Sequence, residues 1–93
     1  MSTPAPASAS CFVYVLGSPA RRRTYVGWTV DLERRLERHN AGTGAKATRG
    51  ARWLLLYAEK HPTRAQAMGR EWRLKRDRAL RRALAATLTG LAP

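Results

Sequence analysis

The chain has 93 residues, of which 44% are apolar, so it can build one modest core; a second domain or outright disorder is unexpected. Lys and Arg total 18 against 6 Asp and Glu, which gives a formal net charge of +12 and points to a polyanionic partner, nucleic acid first and an anionic membrane surface second. No apolar stretch is long enough to cross a bilayer, and the first ten residues lack the pattern of a signal peptide.

Residues 1–10 contain Pro, Ala and Ser without periodicity and are predicted to form a disordered tail. The domain proper is predicted over residues 11–89. It begins with the apolar run Cys11–Leu16, which is typical of a strand covered on both faces and therefore central in a sheet. Cys11 is the single cysteine, so no internal disulfide can form, which fits the reducing cytoplasm.

A second strand is predicted over residues 23–28, and the short basic segment before it fits a hairpin connection. If the turn is centred near Pro19 and Ala20, Tyr14 and Tyr25 pair directly across the two strands. Their phenols then project from the same side of the sheet.

A helix is predicted over residues 31–40. Thr29 or Asp31 would cap its start, and Gly42 or Gly44 would end it. A flexible basic loop over residues 42–52 follows.

Leu32 and Leu36 mark the buried stripe of this helix. At about 100° per residue, Arg35 and His39 fall along the same stripe, one turn apart. A guanidinium and an imidazole beside a buried stripe are unusual, although Arg35 could extend its head to water and His39 could simply complement the helix dipole.

The apolar run 53–57 predicts a third strand, and Thr63 and Gln66 have capping-box spacing at the start of a second helix. The predicted buried stripe of that helix consists of Ala67, Met68, Trp72 and Leu74. Glu71 lies inside this stripe; a functional role and an ordinary helix ion pair with Lys75 are both open.

Asp77 is predicted to cap a final helix over residues 78–89, in which leucines recur every four positions. The resulting order is β-β-α-β-α-α. We therefore predict a compact α+β domain with a small antiparallel three-stranded sheet flanked by helices.

The triplets Phe12-Val13-Tyr14 and Tyr25-Val26-Gly27, followed by the helix with Arg35 and His39, resemble the GIY-YIG nuclease superfamily. The GAKATR stretch and the small size resemble its stand-alone bacterial YhbQ-like branch, which is related to the catalytic domain of structure-specific endonucleases. Phe12 replaces the glycine of the first triplet, whereas its tyrosine is retained.

The resemblance implies a nuclease that hydrolyses phosphodiester bonds in branched, flapped or single-stranded DNA, in repair or recombination. It implies that Tyr14 is, or assists, the general base, with Tyr25 as a relay. Arg35 would hold the scissile phosphate, His39 would transfer a proton or orient phosphate, and Glu71 would bind Mg²⁺ or Mn²⁺.

Gly27 is the structural residue of the second triplet; close approach of a neighbouring backbone would by itself also explain a glycine there. Five cations are candidates for gripping the nucleic-acid backbone: Lys46, Arg49, Arg70, Arg73 and Lys75. The alternative function is a non-catalytic basic nucleic-acid-binding module. A protein partner that confers substrate selectivity is also possible.

Overall fold

The structure, a computed structural model, describes residues 10–88; the predicted tail therefore lies outside the described residues except for Ser10, and so does Thr89. The elements are β1 (Cys11–Ser18), β2 (Arg23–Thr29), α1 (Leu32–Asn40), a 3₁₀ turn (Lys46–Thr48), β3 (Leu54–His61), α2 (Arg64–Arg76) and α3 (Arg78–Ala86). The strands form an antiparallel sheet in the order β2-β1-β3. The predicted α+β class and the central position of the first strand are confirmed.

The register of the β1–β2 hairpin differs from the predicted one. Tyr14 pairs with Gly27, and Tyr25 pairs with Leu16. The turn is centred one residue later than expected, because Ser18 pairs with Arg23 and accepts the backbone N–H of Arg22 at 2.8 Å. When the centre of the turn moves by one residue, each residue of β1 pairs with a β2 residue two positions farther on. An even shift leaves both phenols on the same side of the sheet, as predicted.

The two faces of the sheet carry different cores. On one face, Val13, Val15 and Val26 pack against Ala67 and Leu74 of α2. The other face forms a second cluster from Tyr14, Leu16 and Trp53, against which the partly buried α1 leucines pack. Alternation of side chains along the strands thus separates an α2–α3 side from an α1 side, and Tyr14 lies on the α1 side.

The buried stripe predicted for α2 is wrong in two positions. Ala67 and Leu74 are fully buried, but Met68 and Trp72 are 50% and 57% exposed. Trp72 instead stacks under the guanidinium of Arg76, 3.9 Å from its ring centroid. Ala67 and Leu74 are two turns apart on the face of α2 that packs against the sheet. The buried face of α2 is therefore narrower than predicted.

The predicted helix starts agree with the structure. The side chain of Asp31 accepts the N–H of Arg34 at 3.1 Å, and Asp77 accepts that of Leu80 at 3.0 Å. The side chain of Thr63 caps α2 in the same way. Helix α1 ends before Gly42, whose φ of 82° suits a residue without a side chain.

The lengths of two elements differ from the prediction. The third strand begins after Trp53 and runs on to His61, four residues beyond the predicted end. The last helix ends at Ala86, before the predicted end. None of the helices in the described part of the chain is long and apolar enough to span a membrane.

Candidate active site

The hydroxyl of Tyr14 is the centre of a buried polar cluster on the α1 side of the sheet. Its oxygen lies 2.9 Å from Nε2 of His39 and accepts Nε–H of Arg35 at 3.4 Å. Both His39 and Tyr14 are almost completely buried, at 0% and 1% exposure. The strand and the helix thus bring together three predicted site residues that are far apart in sequence.

Gly27 is required because the ring of Tyr14 crosses β2 at this position. A Cβ placed on Gly27 would lie 2.5 Å from the Tyr14 hydroxyl oxygen and 2.7 Å from Cζ of the ring. Any side chain would displace the phenol from His39. A glycine at this position therefore makes room for a side chain, the phenol of Tyr14, and not for a neighbouring backbone.

A threonine that the sequence reasoning missed fixes the imidazole of His39. Thr48 is fully buried, and its hydroxyl donates to the carbonyl of Ala45 at 2.9 Å. With its one proton so engaged, Oγ1 accepts Nδ1–H of His39 at 2.7 Å. A neutral His39 then carries its lone pair on Nε2, which accepts the hydroxyl proton of Tyr14.

The loop that carries Thr48 is held to the end of α1 and the start of β3. The indole N–H of Trp53 donates to the carbonyl of Thr48 at 2.8 Å. The side chain of Asn40 in turn accepts the N–H of Trp53 at 2.6 Å and donates to its carbonyl at 3.0 Å. The predicted flexible loop is thus tied at this point, and no sequence signal beyond GAKATR indicated it.

Burial and charge set the protonation states of the cluster. Burial raises the pKa of Tyr14, and the hydrogen bond from Arg35 offsets only part of that rise. Burial, together with the charge of Arg35, lowers the pKa of His39 below its ordinary value of 6.5. At neutral pH the pair therefore consists of a neutral phenol and a neutral imidazole.

Tyr25 lies beside this pair rather than within its hydrogen-bond chain. Its ring centroid is 5.0 Å from that of His39 and 6.4 Å from that of Tyr14. The hydrogen bond to Tyr14 raises the pKa of Arg35, and the nearby phenol of Tyr25 adds to that rise. Tyr25 is partly exposed, whereas Tyr14 and His39 are buried.

Glu71 lies on α2, close enough to Tyr14 for its charge to act on the phenol. Its negative charge contributes to the raised pKa of Tyr14, and its side chain keeps 22% exposure. Lys75 lies 3.7 Å from the carboxylate, one turn along the helix, with its own side chain 56% exposed. Both interpretations of Glu71 left open by the sequence, the site residue and the ion pair, are thus compatible with its surroundings.

The donor set near Glu71 fits a hard divalent cation that keeps most of its water. Within residues 10–88, no group of three or more His, Cys, Asp or Glu side chains converges as a metal cage would require. A single accessible carboxylate matches Mg²⁺, which is commonly held by one or two carboxylates and substrate phosphate. The Lys75 ammonium, on a flexible exposed stem, can leave the carboxylate when a cation arrives.

The five predicted backbone-gripping cations fall in different places. Lys46 and Arg49 are exposed on the loop that carries Thr48, next to the cluster. Arg73 lies about 200° around α2 from Glu71, so the structure does not bring it to the site. Arg70 is partly exposed but already paired within the protein, because its Nε donates to both carboxylate oxygens of Glu59 at 3.0 and 2.9 Å.

A protein-family model described as the GIY-YIG catalytic domain matches residues 10–82. The chain therefore belongs to the GIY-YIG family, and the resemblance seen in the sequence is confirmed. The domain implies a nuclease with a nucleic-acid substrate.

Similar proteins carry the name UPF0213. One from Natronomonas pharaonis is 41% identical over 85 residues, covering 89% of this chain and 99% of its own length. One from Halobacterium salinarum is 45% identical over 62 residues, covering 64% and 80%. A third, from Bacillus velezensis, is 48% identical over 52 residues, covering 55% and 52%. These names give the relationship but no substrate.

Proposed function

We propose that this protein is a divalent-metal-dependent endonuclease that hydrolyses phosphodiester bonds in branched, flapped or single-stranded DNA, in repair or recombination in the cytoplasm. The observation that carries the proposal is the buried hydrogen-bond chain from Arg35 through Tyr14 and His39 to Thr48. A module that only binds nucleic acid gains nothing from a neutral, oriented phenol–imidazole pair. Its basic surface alone would suffice.

In the proposed reaction, the oxygen of Tyr14 accepts a proton from the attacking water while the phenol passes its own proton to Nε2 of His39. The water oxygen forms a bond to phosphorus, and the bond from phosphorus to the leaving sugar oxygen breaks. The sugar oxygen takes a proton from solvent, and His39 later returns its proton to solvent. Tyr14 is neutral at the start and at the end, so its raised pKa does not block the step.

The guanidinium of Arg35 is placed to stabilise negative charge on the phosphate. Its Nε donates to Tyr14, and its remaining N–H groups are the donors that would face the scissile phosphate. Tyr25, on the accessible side of the pair, would position the water. Lys46 and Arg49 would hold the flanking backbone next to the loop of Thr48.

Glu71 would hold the cation, Mg²⁺ or Mn²⁺. A divalent ion bound there supplies Lewis-acid stabilisation of charge on the phosphate oxygens. The carboxylate's role is to retain the ion at the mouth of the site. Lys75 would return to Glu71 when the ion leaves.

The proposal is tested by cleavage of an end-labelled panel of single-stranded, duplex, flapped and branched DNA, with RNA counterparts, in Mg²⁺ and in EDTA. Tyr14→Phe keeps the ring volume and removes the hydroxyl, and we expect it to lose nearly all cleavage. Tyr57→Phe is the matched control, because it removes a phenol that contacts Glu59 away from the site. Equal cleavage by both variants would refute the assignment, and undiminished cleavage in EDTA would refute metal dependence.

The non-catalytic module remains the alternative function, and the same panel separates the two. A binding module would retain every substrate uncut, with Tyr14→Phe binding as tightly as the unaltered chain. Should cleavage appear only after addition of a cell extract, a partner protein is required for substrate selection.

A further inference from the structure

Four arginines converge on an open pocket on the α2–α3 side of the molecule, away from Tyr14. The pocket has a volume of about 250 Å³ and is lined by Arg22, Thr24, Arg78, Arg81, Arg82 and Ala85. We call it the arginine pocket. Arg81 and Arg82 follow Arg78 by three and four residues, so these three arginines share one face of α3. Arg22 comes from the β1–β2 turn, so the fold, not a single basic run, assembles the group.

The side chain of one of these arginines, Arg81, is held by hydrogen bonds, and the backbone of a second, Arg22, is constrained. The guanidinium of Arg81 donates to the carbonyls of Leu74 and Lys75 at 3.2 and 2.8 Å, where it completes the C-terminal end of α2. Arg22 adopts a left-handed backbone with φ of 52°, which costs an arginine more than a glycine. The turn thus fixes where the Arg22 side chain starts, beside Thr24 at the edge of β2.

The positive charge of the pocket is little compensated by the protein. No ion pair within residues 10–88 involves any of the four arginines, and no acidic side chain lines the pocket. Asp77, the nearest acid in sequence, is used to cap α3 through the N–H of Leu80. Clustered guanidinium groups repel one another, so an anion that accepts hydrogen bonds from several of them would be favoured.

The pocket is separate from the candidate active site. Thr24 precedes Tyr25 on β2, and successive residues of a strand face opposite sides of the sheet. Tyr25 belongs to the cluster with Tyr14, whereas α3 packs on the other core. A ligand in the arginine pocket therefore lies across the sheet from the Tyr14 hydroxyl.

We propose that the arginine pocket binds phosphate, supplied by the backbone of the nucleic-acid substrate at a point remote from the cleaved bond. The proposal rests on the proposed function for the source of the phosphate, but the pocket's preference for phosphate does not depend on catalysis. Planar guanidinium groups bind phosphate in a bidentate manner. Nucleic acid that fills both sites passes around the β2 edge, so occupancy of the pocket requires a substrate longer than one that covers the active site alone.

The test is a binding measurement without Mg²⁺, so that it is independent of cleavage. The double variant Arg22→Gln/Arg82→Gln removes two exposed charges from the pocket and leaves Arg81 in its capping position. The control Arg34→Gln/Arg38→Gln removes two exposed charges from α1. We expect the pocket variant to lose about tenfold more affinity than the control for long DNA, with the slope of affinity against salt reduced by about 0.9 per lost phosphate contact. For an oligonucleotide too short to reach both sites, the difference in affinity between the two variants should be smaller than for long DNA.

A second arm uses inorganic pyrophosphate as the probe, at constant ionic strength, and follows the melting temperature. Pyrophosphate should raise the melting temperature of the unaltered chain and of the control more than that of the pocket variant. A pyrophosphate effect without any selective loss of long-DNA affinity would overturn the nucleic-acid source and leave a small phosphate ligand. Equal behaviour of both double variants in both arms would overturn the site itself. DNA that binds through the pocket yet is never cleaved would support the pocket while the proposed nuclease function fails.

Discussion

The hydroxyl of Tyr14 and Nε2 of His39 lie 2.9 Å apart inside the protein, and His39 holds the lone pair that receives the phenolic proton. This relationship makes His39 the final proton acceptor of the proposed reaction. A phenolate base would have to form against the raised pKa of a buried tyrosine. In the proposed reaction no free phenolate forms, because Tyr14 passes its proton to His39 while it accepts one from water.

The first prediction concerns pH. His39 has a lowered pKa, so it is neutral and able to accept a proton above that pKa, and it is charged below it. Single-turnover cleavage should therefore be level between pH 7 and 9, and its fall on the acid side should come at a lower pH than the ordinary histidine value of about 6.5. A rate that continues to climb toward pH 10 would instead indicate a phenolate at Tyr14.

The second prediction concerns Thr48, which acts through His39. Thr48→Val keeps the shape but removes the oxygen that accepts Nδ1–H, so the proton can move to Nε2 and block acceptance from Tyr14. We expect cleavage to fall at least about tenfold, and the acid side of the pH profile to move to lower pH, because the imidazolium loses a hydrogen-bond acceptor. Thr48→Ser retains the oxygen and should restore the rate and the pH profile. If serine fails to rescue, the methyl group's packing is what matters.

The third prediction concerns Arg35. Arg35→Ala should reduce cleavage about 10²-fold or more, because a guanidinium aimed at transition-state charge is lost. DNA affinity should change little, since the chain keeps 17 of its 18 Lys and Arg residues. Arg38→Ala, an exposed change one turn farther on α1, is the control. Comparable cleavage by the two variants would remove Arg35 from the site.

The fourth prediction concerns the cation at Glu71. Glu71→Gln preserves shape but removes the charge that a hard cation requires. Calorimetric titration with Mn²⁺ should show weaker binding for this variant than for Glu37→Gln on the exposed face of α1. Cleavage should be lost in parallel. Unchanged Mn²⁺ binding by Glu71→Gln would place the ion elsewhere.

The fifth prediction concerns acid stability and Glu59. Burial alone would raise the pKa of Glu59, but hydrogen bonds from Arg70, Tyr57 and His61 lower it to about 2 from 4.5. Because the folded pKa is the lower one, this stabilisation is present above pH 4.5 and is lost as pH falls toward 2. The shift corresponds to about 3 kcal/mol.

Glu59→Gln should therefore lower the free energy of unfolding at pH 7, and its denaturant midpoint should depend less on pH between 4.5 and 2. The exposed substitution Glu33→Gln provides the comparison. An identical acid dependence in Glu59→Gln and the unaltered chain would show that other carboxylates control acid unfolding.

Local pattern was sufficient to predict the order of the elements and the central strand. The continuous apolar run of β1 reports burial on both faces, and the caps Asp31, Thr63 and Asp77 mark helix starts through short-range hydrogen bonds. The sequence pattern did not predict burial correctly where tertiary contacts determine it. Trp72 lies at an apolar helical position, yet it is exposed and stacks against Arg76.

The proximity of Tyr14, Arg35 and His39 was predictable because each lies on a regular element with a known face. The role of Thr48 was not, because it depends on a long-range contact of an irregular loop. Its carbonyl is held by Trp53, five residues away, and its hydroxyl meets a histidine nine residues earlier. Neither contact follows from periodicity. The same limit applies to the arginine pocket, where the hairpin turn and α3 meet only in the folded chain.

The contact between Tyr14 and Gly27 also restricts how such a sequence can change over time. Since a side chain at position 27 would occupy the space of the phenol, a first mutation at the glycine is costly as long as the tyrosine remains. Loss of the tyrosine opens that space, after which the glycine is no longer under the same constraint. The two positions therefore form an epistatic pair with a preferred order of substitution, and a relative that has lost the glycine is expected to have lost the tyrosine first.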